Sequence, residues 1–183
     1  MTSGLSVCML VMILFLAMFN GNPIAAQEHN EVASNAPAMN YLRIGPDLAT
    51  GGHFNDGGVE AISTQGVSLV IDLRDKPPEG QEEHLAAAGI RWMNVPVVWK
   101  APRRDDFEAF SRLMSENEGE SILVQCQANY RASAMTYLYR VTRQGVPEAE
   151  ARKELDAIWT PEGTWRKYID EVLLAEQPRS GQP

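Results

Sequence analysis

The hydrophobic positions of this chain alternate between two periods. Val67 to Leu73 is a nearly continuous apolar run, the pattern of a strand buried on both faces. Ile90 to Val95 reads as a second strand, with Pro96 expected to end its pairing, and Ile122 to Gln125 as a third. Ahead of them, Tyr41 to Ile44 is a short strand closed by Gly45-Pro46, and Leu48 to Thr50 is another candidate. Between the strands the spacing becomes helical. Val59 to Gly66 is a brief helix, Gln81 to Ala88 is a short one closed by Gly89, and Phe107, Phe110, Leu113 and Met114 mark a third helix to Asn117. Three more helices are predicted downstream. Arg131 opens the first, whose positions Ala134, Met135, Leu138, Tyr139 and Val141 cover a wide face; the second runs from Pro147 to Ile158. The last carries Trp159, Trp165, Tyr168, Ile169 and Val172, aromatics placed to seal a core. Alternating strands and helices, followed by helices alone, predict an α/β domain around a central, mostly parallel sheet.

The two ends of the chain follow other rules. Leu5 to Phe19 is apolar but shorter than the roughly 20 residues of a comfortable membrane span. Asn20 to Pro23 break that run, and Ile24-Ala25-Ala26 offers small residues before Gln27, so residues 1–26 read as a signal peptide cleaved after Ala26. That implies a secreted or periplasmic protein with no stable membrane span after cleavage. The absence of Lys or Arg before Leu5 keeps an uncleaved anchor as the alternative. Residues 27–40 are polar and rich in small side chains, the composition of a flexible linker. The domain is expected over 41–176, and a disordered tail over 177–183.

Composition narrows the function classes. The 183 residues carry a formal charge of −8, which disfavours nucleic-acid backbones as partners. After cleavage Cys126 would be the single cysteine, since Cys8 falls in the leader, so no internal disulfide is expected. The three histidines, His29, His53 and His84, share no metal-ligand spacing, and no metal or other cofactor is expected.

The chemistry concentrates between Ser121 and Ala134. A strand, Ile122 to Gln125, leads into Cys126; four residues, Gln127-Ala128-Asn129-Tyr130, turn the chain; Arg131 then opens a helix. Such a loop aims several backbone N–H groups at one point at the positive end of a helix dipole, which is an anion site. A cysteine at its floor has its thiolate favoured by the same field. Arg131 sits where its charge opposes the dipole, which points to an anionic partner for its planar, two-pronged grip. The plain alternative is that Cys126 fills the core, as most buried cysteines do.

The segment resembles the signature loop of cysteine-dependent protein phosphatases, in which a cysteine is followed by five residues, an arginine and a hydroxyl residue. The wider chain is similar to the bacterial branch of dual-specificity-like phosphatases, the group related to the beta-lactamase hydrolase-like phosphatase domain. The resemblance runs through Tyr41 to Phe54, Val67 to Asp75, Gly89 to Pro102 and Val124 to Ala134. It implies a phosphatase-like three-layer fold. It also implies hydrolysis of phosphate monoesters, on phosphorylated protein or small-molecule phosphate esters, through a phosphocysteine.

By resemblance Cys126 is the nucleophile and Arg131 the clamp, while the backbone of Gln127, Ala128, Asn129, Tyr130, Arg131 and Ala132 holds the phosphoryl oxygens. Ser133 is the candidate hydroxyl for release of the thiolate. The departures are specific. Four residues, and not five, separate Cys126 from Arg131; Gln125 replaces the usual histidine; and Asn129, which tolerates positive φ, stands in for the loop glycine. Where an acid-bearing loop is expected the chain has Val97-Val98-Trp99-Lys100. The general acid is therefore unassigned, with Asp105 and Asp106 as weak candidates because both suit a helix cap. Arg74 and Asp75 are placed near the pocket by the resemblance, or are plain surface charges. A rhodanese-like sulfurtransferase carrying a Cys126 persulfide, or a non-catalytic phosphate- or anion-binding module, remains open beside the hydrolase.

Overall fold

The computed structural model describes residues 36–176. The expected signal peptide, residues 27–35 of the linker and the tail from 177 lie outside the described residues. Strands β1 (Leu42–Arg43), β2 (Leu48–Gly51), β3 (Leu69–Arg74), β4 (Arg91–Val97) and β5 (Ile122–Gln125) form one sheet in the order β1-β2-β5-β3-β4. All neighbours pair in parallel except β1 and β2. The helices are α1 (Gly58–Thr64), α2 (Gln81–Ala87), α3 (Arg104–Glu116), α4 (Tyr130–Thr142), α5 (Glu148–Asp156) and α6 (Gly163–Glu176).

Every residue of β3 and β5 is buried, as the continuous apolar runs require. The strand period of two sends alternate side chains to opposite cores. Leu69, Ile71, Leu73, Ile122 and Val124 pack with Phe107, Phe110, Met135, Leu138 and Trp165 of α3, α4 and α6. Val70 and Leu123 pack on the other face with Val59 and Ile62 of α1 and Leu85 of α2. The result is three layers, helices on both sides of a mostly parallel sheet. Each fully buried aliphatic side chain contributes about 1.5–3 kcal/mol, so the strands that end at the site are firmly anchored.

Three expectations need correction. Pro96 does not end β4, which continues to Val97. β4 is an edge strand, where a missing N–H costs no ladder bond, and the register slips between Asp72 and Arg74 opposite it. Trp159 is not helical: it stands in the connection between Asp156 and Gly163, with Pro161 beside it. The linker boundary also moves. Ala36–Asn40 belongs to the domain, since Ala38 bridges Phe54, the Met39 N–H donates to the His53 carbonyl, and the Gly52 N–H donates to the Met39 carbonyl. Among the described residues no helix is long and apolar enough to cross a membrane.

Candidate active site

β5 lies between β2 and β3, so its last residues emerge among three parallel carboxyl ends. Open α/β sheets bind their ligands at such ends. Cys126 follows Ile122 and Val124 into the core under α3–α6, is 2% exposed, and donates its N–H to the Gly51 carbonyl at 3.0 Å. Gln125 points the other way and is fully buried.

The loop beyond Cys126 is held from outside by its carbonyls. The Gln127 carbonyl accepts from the His53 N–H at 3.0 Å, with His53 Nδ1 at 3.1 Å, and the Ala128 carbonyl accepts from Asn40 Nδ2 at 3.1 Å. A Cβ on Gly52 would come within 2.9 Å of the Gln127 oxygen, so only glycine permits this approach. Asn129 adopts φ 65°, the left-handed turn expected of it. Its side chain donates to the Asn40 carbonyl at 2.6 Å and to Thr50 Oγ1 at 3.0 Å.

With the carbonyls so engaged, the N–H groups are left over. Among the described residues no backbone carbonyl takes the N–H of Gln127, Ala128, Tyr130, Arg131 or Ala132, while the Gly52–Ala128 bridge turns the Asn129 N–H toward the Gly51 carbonyl. α4 begins there with no side-chain cap, so its first-turn donors and dipole face the same space. The arrangement can hold a multivalent oxyanion against the Cys126 sulfur.

Arg131, on the first turn of α4, is 6% exposed. Its Nη1 donates to Asp75 Oδ1 at 3.0 Å and to the Val97 carbonyl at 2.6 Å. Those bonds fix the guanidinium through one nitrogen and leave Nε and Nη2 for an oxyanion. Asp75 lies just beyond β3, and hydrogen bonding from Arg131 holds its carboxyl below the ordinary carboxylate value, with burial opposing. It supplies the anionic partner that a cation at a helix N-terminus demands.

Beneath the loop, Gln125 replaces the usual histidine and joins a buried network. Its Oε1 accepts from Gln81 Nε2 at 2.9 Å and from Arg74 Nη2 at 3.3 Å, and its Nε2 donates to the Gly52 carbonyl at 3.0 Å. Arg74 is locked onto Asp72, its Nη2 lying 2.6 Å from Oδ2. Arg74 therefore braces the floor of the loop; it is a buried residue and not a surface charge.

The rim is aromatic. Tyr130 of the loop stacks on Trp159 at 4.8 Å, and Trp99 lies 5.7 Å from Trp159, 6.2 Å from Tyr130 and 5.2 Å from Trp165. Trp159 Nε1 donates to Ser133 Oγ at 3.2 Å, and that hydroxyl donates to the Tyr130 carbonyl at 3.2 Å. In this structure the Ser133 proton is thus directed at the backbone rather than at Cys126.

The two weak acid candidates sit on α3. Asp106 completes a capping box, accepting from the Arg103 N–H at 2.9 Å and from Arg103 Nη2 at 3.0 Å. Asp105 is exposed in the same turn. Among the described residues neither forms a hydrogen bond or ion pair with the loop. Among the described residues no cluster of three or more His, Cys, Asp or Glu side chains is placed to hold a metal ion. Sequence reasoning left Asp75 unresolved and missed Gln81, Asn40, Thr50 and Trp159. Asp75 followed a legible strand, but its partner is 56 positions away.

Residues 29–169 match the model of the family described as DSP-PTPase phosphatase fused to NAD+ kinase. No curated protein matches the chain. Among solved structures, a DUF442 phosphatase-family protein from Shewanella putrefaciens CN-32 is similar at 28% identity, covering 76% of this chain and 94% of that one with a TM-score of 0.66. TpbA of P. aeruginosa, crystallised with pTyr, shares 18% identity over 76% of this chain and 91% of its own, at a TM-score of 0.57. The catalytic domain of the PP-IP phosphatase SIW14 from S. cerevisiae shares 12% over 73% and 85%, at a TM-score of 0.64. The last two likenesses concern the fold.

Proposed function

This chain belongs to the family described as DSP-PTPase phosphatase fused to NAD+ kinase, and from that membership we infer that it hydrolyses phosphate monoesters through a phosphocysteine on Cys126. The observation that carries the reading is the set of N–H groups of Gln127, Ala128, Tyr130, Arg131 and Ala132, none with a backbone acceptor among the described residues, above a buried cysteine. A phosphoryl group seated there would have its equatorial oxygens on those donors and on Arg131 Nε and Nη2. The Cys126 thiolate attacks phosphorus in line; the Sγ–P bond forms as the bond to the leaving oxygen breaks, and water then cleaves Sγ–P.

The rim supports an aryl ester as substrate. Three of the exposed large apolar side chains, Met39, Val98 and Trp99, stand on segments that touch the loop. A flat apolar leaving group suits that surround better than a second phosphate does. We place the enzyme outside the cytoplasm on the strength of the apolar run Leu5 to Phe19 and the small residues before Gln27.

The test is a paired assay on the purified protein. p-Nitrophenyl phosphate should be turned over, with inorganic phosphate as a competitive inhibitor. Thiosulfate with a thiophilic acceptor should give no thiocyanate-type product. Sulfur transfer without phosphate release would replace the hydrolase with a sulfurtransferase. Phosphate binding measured by calorimetry, with neither activity, would leave an anion-binding module.

A further inference from the structure

The segment Val97 to Lys100 brings no carboxylate to the site, and Trp99 is held there by stacking and by a hydrogen bond from Trp165 Nε1 to its carbonyl. We propose that Asp75 is the general acid–base of the reaction. The inference rests on the phosphatase reading above and names the proton donor that reading lacks.

Four observations carry it. Asp75 is the carboxylate in contact with the loop among the described residues, through Arg131 Nη1 at 3.0 Å. β3 pairs with β5 so that Asp72 lies opposite Gln125, which brings the residues just past Arg74 out beside Cys126. The Asp75 side chain is 37% exposed, open to an incoming ester, whereas Asp72 is sealed against Arg74. Of the other candidates, Asp106 is consumed by the α3 cap, and Asp105 is exposed in the same turn with no hydrogen bond or ion pair to the loop among the described residues.

The protons balance over two steps. As the thiolate displaces the ester, the electron pair of the breaking P–O bond goes to the leaving oxygen, which takes the Asp75 proton. The Asp75 carboxylate then takes a proton from the attacking water while the Sγ–P electron pair returns to sulfur, and Asp75 is ready for the next turnover. The charged groups facing Asp75 are Arg131 and Lys76, both of which favour its ionised form in the free protein. A phosphoryl dianion on Arg131 offsets that bias and raises the carboxyl's affinity for the proton it is to give. Arg131 thus couples binding of the anion to loading of the acid.

The experiment is a series of aryl phosphates of graded leaving-group basicity, run on the full chain and on Asp75→Asn, Asp75→Ser and Asp105→Asn. Asparagine keeps an acceptor for Arg131 but has no proton to give. Turnover of phenyl phosphate should fall by about 10²- to 10⁴-fold in both Asp75 variants, and that of p-nitrophenyl phosphate by less than about tenfold. The basic limb of the parent's kcat–pH profile should vanish with the carboxyl. If Asp75 only positions Arg131, all esters fall together and the limb remains, which overturns the proposal. A slope that steepens in Asp105→Asn instead also overturns it. An active parent whose series is unchanged in the Asp75 variants defeats this inference alone; a parent inert on p-nitrophenyl phosphate defeats the hydrolase reading with it.

Discussion

The indole N–H of Trp165 donates to the carbonyl of Trp99 at 3.0 Å, and the two rings stack with centroids 5.2 Å apart. Trp165 is 2% exposed, so a core residue of α6 clamps the segment that follows β4. The site is prebuilt on that side. Trp165→Phe keeps most of the ring and removes the donor. It should lower stability by about 1 kcal/mol and raise amide exchange over Val98 to Ala101. Unchanged exchange in that segment would show that the clamp is not what holds it.

Arg131 works through geometry as well as charge, because one nitrogen is committed to Asp75 and Val97 and the rest of the fork is left for the ligand. Arg131→Lys keeps the charge and loses the fork. Phosphate affinity measured by calorimetry should drop about 10- to 100-fold, the equivalent of one charge-assisted hydrogen bond. Near-parent affinity in the lysine variant would mean that the N–H groups alone hold the anion.

Gly52 and Asn129 shape the loop from outside its own strand. Gly52→Ala forces a Cβ to within 2.9 Å of both the Gln127 oxygen and Met39 atoms. It should cost about 1–3 kcal/mol and weaken phosphate binding, since the loop must shift. Asn129→Ala keeps the left-handed φ of 65° without the two side-chain bonds, and should destabilise by about 2 kcal/mol. Asn129→Gly relieves the φ and should fall between the parent and Asn129→Ala in chemical denaturation.

The parts of this structure that were legible in the sequence are those specified locally. The continuous runs of β3 and β5 mark strands covered on both faces, and Cys126, Asn129 and Arg131 lie within six residues of one another, so their shared loop needs no knowledge of the fold. What escaped is long-range. Asn40 and Thr50 hold Asn129 across 89 and 79 positions, and Gln81 reaches Gln125 across 44; nothing in the local pattern of any of these residues announces its partner. The strand at Pro96 was misread because the rule against proline applies to central strands, and only the assembled sheet shows β4 at its edge. Trp159 fitted a helical spacing, but it sits against Tyr130 because Ser133 and the aromatic rim hold it there.

The Arg131–Asp75 pair has a pH signature with a defined sign. The carboxyl is depressed in the folded protein, so its contribution to stability is present above the ordinary value of 3.8 and is lost as pH falls through the lower folded value. The stability of the parent relative to Asp75→Asn should therefore increase as pH rises through the interval between the folded and ordinary values, and the two stability curves should run parallel above it. Curves parallel throughout would show that the ion pair is not formed in solution.

A phosphoryl group carried on Cys126 can be caught as a covalent adduct. The protein is mixed with an activated aryl phosphate, quenched in acid within a turnover, and weighed intact and after proteolysis. One added phosphoryl group is expected on the peptide holding Cys126, absent in Cys126→Ser, which should still bind phosphate and not turn over ester. Steady turnover without any adduct on Cys126, or full activity in Cys126→Ser, would contradict a phosphocysteine intermediate.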